Sequence, residues 1–432
     1  MTIPTTNARH GRLLITGANG YIGRRLVATA RSRGHATVVT LRDARRSSLP
    51  AGVELREFDL EQEGPVDPVV RGVDAVIHLA AILGQDSRPG TANEDLNVSG
   101  TRRLLEAARR RGVRRFVFLS SQSAAPDSPT SYGRSKWRIE QLLSGSGECA
   151  VRTGLVSGGP PRGLFGLLYR LARRFPVLPV LRPSAPVYPV HVDDLCLGLL
   201  SIVEDEREPP RLARIAAAES MRFGDYVRML ARSRLGRRVR LVPIPLGLVL
   251  GLCRLTAAIP WLPTVPRERV LGLASLPPMA AGSLPAPAAG PAPRDVARVL
   301  GLEGRGRKLL AEGRTLMRYA VGRRAPLGAA RRYVRAVLDG GDGEPLALAG
   351  WVRVWPRLLR FTEPLRPREN DLLRARLSLA TRIVEMTTQA APKFHVYRES
   401  PRLVAWLELA WLVAVEALLL PSRWLAGRGR RR

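Results

Sequence analysis

Lysine is nearly missing from this chain: of its 69 Lys and Arg residues only Lys136, Lys308 and Lys393 are Lys. So broad a skew looks like a genome-wide arginine bias, and each retained Lys raises the question of what a compact, titratable ammonium does there that a guanidinium cannot. Cysteine is scarce as well. Cys149, Cys196 and Cys253 are odd in number and far apart, with no CxxC or Cys/His pairing to cage a metal, and they read as small buried hydrophobes. A secretory signal is also lacking, since the start MTIPTTNARHGRLLITG has no apolar stretch after a basic one. The chain is therefore expected in the cytoplasm.

The formal net charge is +32 over 432 residues. Residues 1–310 hold 46 basic and 26 acidic residues and residues 311–432 hold 23 and 11, so the charge is spread and not gathered in one block. No nucleic-acid-binding motif accompanies it, and no nucleic-acid partner is expected. The 45% hydrophobic and 25% charged fractions are those of a folded protein with a sizeable core.

From residue 12 to 151 short β-branched runs alternate with helical segments. Strands are expected at 13–16, 37–41, 53–57, 75–79, 115–119 and 149–152, and helices at 20–33, 91–111 and 131–144. Right-handed crossovers then give an α/β fold with a doubly wound parallel sheet and a ligand at the carboxyl ends of its strands. From 154 to about 310 the periodicity weakens and Pro becomes frequent, as suits a smaller α+β substrate-capping portion. Residues 276–293 are a Pro/Ala-rich loop. Beyond, residues 311–432 read as a helical, basic C-terminal extension with helices near 329–338, 370–388 and 401–420.

The strand LLIT runs into GANGYIG and then a helix, the Rossmann arrangement for a dinucleotide. Gly17 permits the tight turn, Gly20 lets backbone approach the pyrophosphate, and Gly23 allows close helix–strand packing. Asn19, Tyr21 and Ile22 complete the cofactor-facing loop, whose helix N-terminal amides hold phosphate. Asp59 and Leu60 follow the third strand, where the carboxylate either accepts from the adenine amine or caps a helix. Arg42 follows the second strand. An acidic residue there binds the ribose of NAD, whereas Arg, with Arg24, Arg25, Arg45 and Arg46 near, either pairs with the extra phosphate of NADP or is a solvated surface residue. Leu79 and the small Ala80 and Ala81 leave room at a strand end, His78 reads as a packed residue, and Asn97 either ties the next helix to the sheet or binds a cofactor-side water.

The segment FVFLSSQSAAPDSPTSYGRSKWRIE puts Ser121 at the end of the fifth strand and Tyr132 and Lys136 one helical turn apart on one face. Poising a tyrosine of pKa near 10 at neutral pH takes about 4 kcal/mol of phenolate stabilisation, which an ammonium and a positive nicotinamide can supply. One of the three lysines falls where that ammonium is needed. His191, Asp193 and Asp194 read as a strand-end residue and a helix cap, and no metal site is expected.

In order, TGANGYIG, FDL, HLAA, Asn97, LSSQS and YGRSK resemble the NAD(P)-dependent epimerase/dehydratase family, the extended and atypical branch of the short-chain dehydrogenases/reductases. VRTGLVSGGPPRG and VYPVHVDDL resemble its later landmarks, so the resemblance covers residues 11–310. It implies Tyr132 as general acid/base, Lys136 on the nicotinamide ribose, and Ser121, or else Ser120, orienting the substrate oxygen. Gln122 stands where dehydratases of the family carry an acid, which argues against sugar dehydration. The eleven-residue spacing from Ser121 to Tyr132 points to the atypical branch, which holds reductases and also non-catalytic subunits. The expectation is an NAD(P)-dependent oxidoreductase or epimerase acting on an alcohol or carbonyl, with NADP preferred to NAD. The alternative is a cofactor-binding scaffold or sensor. Runs such as GLFGLLYRL and PLGLVLGLCRL suggest apolar pocket walls and a small-molecule substrate that is lipid-like as readily as a nucleotide sugar.

The segment RLVAWLELAWLVAVEALLLP is nearly long enough to span a bilayer. Its Leu and Val residues contribute about −3 to −6 kcal/mol and its two Glu cost about 5 to 7, so insertion does no better than break even. It reads either as a packed helix or as a peripheral contact at the inner face of the membrane, with arginine flanks on anionic headgroups.

Overall fold

Strands form where β-branched and leucine residues run together between turn signals, and the strands at the centre are buried on both faces, as a parallel sheet requires. The computed structural model describes residues 11–42, 52–82, 92–257, 267–279, 294–321, 326–340, 343–346, 348, 350–361 and 367–386. Contacts divide the chain into two units, 1–304 and 305–432.

The first unit opens β1 (Arg12–Thr16), α1 (Tyr21–Ser32), β2 (Ala36–Leu41), β3 (Glu54–Glu57), β4 (Ala75–His78), α2 (Ala92–Arg110), β5 (Arg115–Ser121), α3 (Ser131–Leu142) and β6 (Glu148–Thr153). It continues with β7 (Leu155–Ser157), α4 (Gly163–Arg174), β8 (Val177–Arg182), β9 (Pro186–Val187), β10 (Pro189–His191), α5 (Val192–Glu204) and β11 (Leu212–Ile215). Then come β12 (Met221–Arg222), α6 (Phe223–Leu235), β13 (Arg240–Pro245), α7 (Leu246–Ala257), α8 (Arg267–Ala274) and α9 (Val296–Val321).

Seven strands make one sheet in the order β11-β6-β5-β4-β1-β2-β3, every neighbouring pair parallel. The strand order reverses between β1 and β4, which opens a crevice at their carboxyl ends. Alternation along β1 sends Leu13 and Ile15 into the layer shared with α1 and α5, and Leu14 into the layer shared with α2 and α3. The capping portion has its own core, in which Phe165, Tyr169, Tyr226 and Leu230 meet Leu300.

The second unit contains the later part of α9, then α10 (Leu327–Asp339), α11 (Gly350–Val354), a 3-10 turn (Pro356–Phe361) and α12 (Pro367–Glu385). Leu309, Leu316, Met317, Tyr333 and Ile383 form its core. Glu312, 2% exposed, accepts from the Tyr333 hydroxyl and the Leu346 amide. The boundary expected after residue 310 therefore falls inside a continuous helix. Glycines that look like breakers are packing sites: a Cβ on Gly304 would lie 2.6 Å from the Arg234 carbonyl, and one on Gly313 would lie 2.5 Å from the Tyr333 ring. Among the described residues no helix is long and apolar enough to cross a membrane. The expected helix 401–420 lies outside the described residues, as do residues 280–293 of the Pro/Ala-rich loop.

Candidate active site

The glycine loop ends β1 at the crevice. Gly17 has φ of +67°, and a Cβ there would press to 2.9 Å from the Ala80 amide nitrogen, so backbone meets backbone where β1 and β4 finish. A Cβ on Gly23 would stand 2.2 Å from the Gly17 carbonyl oxygen, so α1 can pack against the loop only with glycine there. Gly20 caps α1 without any side-chain hydrogen bond, and the first turn carries no acid. Its amides thus face a cradle suited to pyrophosphate. Ile22 packs on the sheet core. Tyr21 ties α1 to the capping portion, because its hydroxyl donates to the Gly158 carbonyl at 2.7 Å and its ring stacks on Phe165 6.4 Å away. The Asn19 carbonyl accepts from Arg24 Nε at 2.9 Å.

A hydroxyl that the sequence did not advertise holds the strand ends. Thr16 Oγ1 accepts from the Leu79 and Ala80 amides, both at 3.1 Å, and lies 2.7 Å from His78 Nδ1. With two donors already received, the Thr16 hydroxyl hydrogen points to Nδ1, so His78 carries its proton on Nε2 and gives it to Thr101 Oγ1 at 2.9 Å. Burial and the Lys136 charge bring the imidazole down to about 3, which keeps that tautomer neutral. His78 is the packed residue expected, and its neighbour Thr16 fixes where Leu79 and Ala80 lie.

Asn97 takes the first of its two expected roles: it accepts from the Ile82 amide at 2.8 Å and donates to the Ile82 carbonyl at 3.1 Å, pinning α2 to the chain leaving β4. Asp59 is half-buried and accepts from the Glu61 amide at 3.0 Å, a turn with no helix behind it. Leu60 is buried under α2, where Gly100 leaves space for it. Arg42 is exposed immediately after β2, whereas Arg25 is held by Asp193. Asp43, Arg45 and Arg46 lie outside the described residues.

Helix α3 is capped by Thr130, whose hydroxyl accepts from the Gly133 amide, and it delivers Tyr132 and Lys136 to the end of β5. Tyr132 shares a side-chain hydrogen bond with Ser121, while burial pushes its phenol up to about 12. Ser121 also meets Ser123 Oγ at 3.0 Å and receives the Ser123 amide. Lys136 is 3% exposed, donates to the Leu119 carbonyl at 2.6 Å, and has its Nζ 4.3 Å from the Phe118 ring centroid and 5.5 Å from that of Tyr132. Burial brings its ammonium down to about 7, against the pull of Glu140.

Ser120, the alternative serine, points elsewhere: it donates to Glu140 at 2.5 Å. Glu140 in turn accepts from Arg152 at 2.9 and 2.7 Å. The motifs do not single out this carboxylate, although its position one turn beyond Lys136 on the same face was a signal. Gln122 uses both amide hydrogens as a brace, to the carbonyls of Pro186 at 2.8 Å and Pro277 at 2.9 Å. It thereby anchors the segment after α8 beside Ser121.

His191 itself caps α5, its Nδ1 accepting from the Asp193 amide at 3.2 Å, and its Nε2 meets Glu303 at 3.1 Å. Glu303 is held by Arg234 and by the Gly159 amide. Asp194 accepts from Arg294. Among the described residues no three His, Cys, Asp or Glu side chains are grouped to hold a metal. The three cysteines are buried thiols. The apolar runs expected as pocket walls divide differently: α4 buries Phe165, Leu168 and Tyr169 in the capping core and leaves Leu164 and Leu167 exposed, and α7 leaves Leu248 and Leu252 exposed.

The sequence profile of the NAD dependent epimerase/dehydratase family matches residues 13–145. A ceramide reductase of Caulobacter vibrioides is 30% identical over 247 residues, which is 56% of this chain and 75% of that protein. A 3-beta-hydroxysteroid dehydrogenase of Mycolicibacterium neoaurum is 35% identical over 128 residues, 28% of this chain and 34% of its own length. The crystal structure of a nucleoside-diphosphate-sugar epimerase from Staphylococcus aureus superposes with a TM-score of 0.50 at 14% identity, over 67% of this chain and 99% of that one. At that identity the likeness concerns the fold.

Proposed function

The chain belongs to the NAD dependent epimerase/dehydratase family, and from that premise we propose that it transfers hydride between a nicotinamide cofactor and a carbonyl or alcohol carbon, with Tyr132 moving the hydroxyl proton. It is an enzyme of NAD-dependent oxidoreductase or epimerase type that acts on a small molecule. The observation that carries the finer reading is the meeting of Ser121, Tyr132 and Lys136 at the end of β5.

The cofactor fits the residues present. The cradle closed to any Cβ at Gly17 and Gly23, and the uncapped start of α1, suit its pyrophosphate. Leu79, Ala80 and Ala81 would line the way to the nicotinamide end, and Lys136 would be the donor for its ribose. When bound, the cofactor would supply the hydride and, in its oxidised form, a positively charged ring.

With the phenol at about 12, releasing its proton to water at neutral pH costs about 7 kcal/mol. Tyr132 is therefore an acid whose proton leaves only as negative charge grows on the substrate oxygen. Ser121 holds that oxygen through its hydroxyl, and the Lys136 ammonium below the ring stabilises the phenolate that remains.

Arg42, exposed at the end of β2, supports NADP as the cofactor, its guanidinium suited to a 2′-phosphate. A lipid-like hydroxyl or ketone is the substrate class. Its support is the ceramide reductase and steroid dehydrogenase among the relatives. Peripheral contact of residues 402–420 with an anionic membrane face remains the reading of the C-terminal extension. The test is turnover of NADPH with long-chain ketones by wild type and Tyr132→Phe. The variant loses at least a hundredfold in turnover and binds NADPH as before. Undiminished turnover would overturn the assignment.

A further inference from the structure

Two stretches of the capping portion contain no Asp or Glu: residues 149–192 hold six Arg, and residues 226–267 hold eight. The parallel pairing of β8 with β13 brings them together, Val177 opposite Arg240 and Pro179 opposite Val242. Side chains alternate across a strand. Leu178 and Leu241 accordingly turn to the capping core, where Gly224 of α6 leaves room for Leu241. Val177, Pro179, Arg240 and Val242 form the outer face, with Val177 and Val242 46% and 48% exposed. At the end of β13, α7 presents Leu248 and Leu252 one turn apart at 66% and 58% exposure.

Seven of the thirteen exposed large hydrophobic side chains among the described residues lie on α4, β8, β13, α7 and the α4–β8 join. Such clustering is unlike the scattered leucines of an ordinary surface. Within the two stretches, Arg152, Arg228 and Arg234 are paired with Glu140, Asp225 and Glu303. Arg173, Arg174, Arg238, Arg240 and Arg254 are exposed and form no ion pair among the described residues.

We propose that the outer face of the β8–β13 ribbon, with α7, docks on a bilayer surface of anionic lipids. The leucines and valines enter the headgroup–acyl boundary, and the guanidinium groups, on stretches of sequence that carry no Asp or Glu, meet lipid phosphates. A second copy of the chain would bring like charge against like. A nucleic acid would use the arginines and leave the leucines in water. Helix α7 has 12 residues, a length of about 18 Å, so it lies along the interface and does not cross the core of roughly 30 Å. The surface is drawn from residues 163–257, and the proposal does not depend on the hydride chemistry.

Flotation of the full-length protein with phosphatidylglycerol and with phosphatidylcholine vesicles tests it. Wild type binds the former and not the latter, and high salt releases it. Leu248→Ser with Leu252→Ser lowers partitioning at least tenfold, and Arg173→Gln with Arg174→Gln, which leaves every leucine in place, lowers it by about tenfold or more. Circular dichroism confirms that both variants fold. No binding of wild type to phosphatidylglycerol, or binding that both variants retain, overturns the proposal. So does a dimer that the leucine variants dissociate without any vesicle binding.

Discussion

Lys136→Met removes a buried charge from the active-site helix, and the size of the effect follows from the surroundings of that charge. The ammonium is 3% exposed, and burial brings it from its ordinary 10.5 down to about 7. A tenfold change in acidity corresponds to about 1.4 kcal/mol, so the charged form is disfavoured inside the fold by up to about 5 kcal/mol. Relaxation around the site and the lost hydrogen bond to Leu119 reduce what Met recovers to about 2 to 3 kcal/mol. Because the folded value lies below the unfolded one, the unfolded chain binds the extra proton between them, and stability rises with pH across that window. The penalty is whole below about 7 and fades as pH approaches 10.5. Lys136→Met should therefore raise Tm by about 3 to 5 °C near pH 6 and by much less near pH 9.5, while activity is lost. Thermal melts of both proteins without cofactor, followed by circular dichroism at the two pH values, measure this. A variant that melts below wild type near pH 6, or a gain that does not change with pH, would refute the reasoning.

Thr16→Val keeps the shape of the side chain but strips the acceptor from the Leu79 and Ala80 amides and the donor from His78. It should cost about 2 to 4 kcal/mol in urea unfolding and weaken cofactor binding, whereas a loss below about 0.5 kcal/mol would show that the network does not hold the strand ends. Arg42→Ala should weaken NADPH binding by about tenfold or more and leave NADH binding unchanged by calorimetry. Equal losses for both would end the phosphate assignment.

Much of the sheet was legible because Gly, Asp and Pro punctuate runs such as LLIT, AVIH and FVFL, and a run of four to seven apolar residues between turns has few options besides a buried strand. Tyr132 and Lys136 were legible because helical spacing alone sets them on one face. Partners chosen by topology were hidden. Thr16 and His78 are 62 residues apart and meet only because β1 and β4 are neighbours. Gln122 reaches carbonyls 64 and 155 residues away. The continuity of α9 was hidden for a related reason, since its Gly304 and Gly313 answer to Arg234 and Tyr333 and not to their own segment. The apolar runs of α4 and α7 were seen, but periodicity does not say whether a leucine faces a pocket or the solvent.

The central claim, hydride passage to a substrate carbon beside Tyr132, is tested most directly with NADPH deuterated at C4 and a long-chain ketone. Mass spectrometry should find one deuterium on the new carbinol carbon with wild type and none with Tyr132→Phe over the same time. An alcohol formed by wild type without deuterium from either C4 position, or equal labelling by the variant, would contradict it.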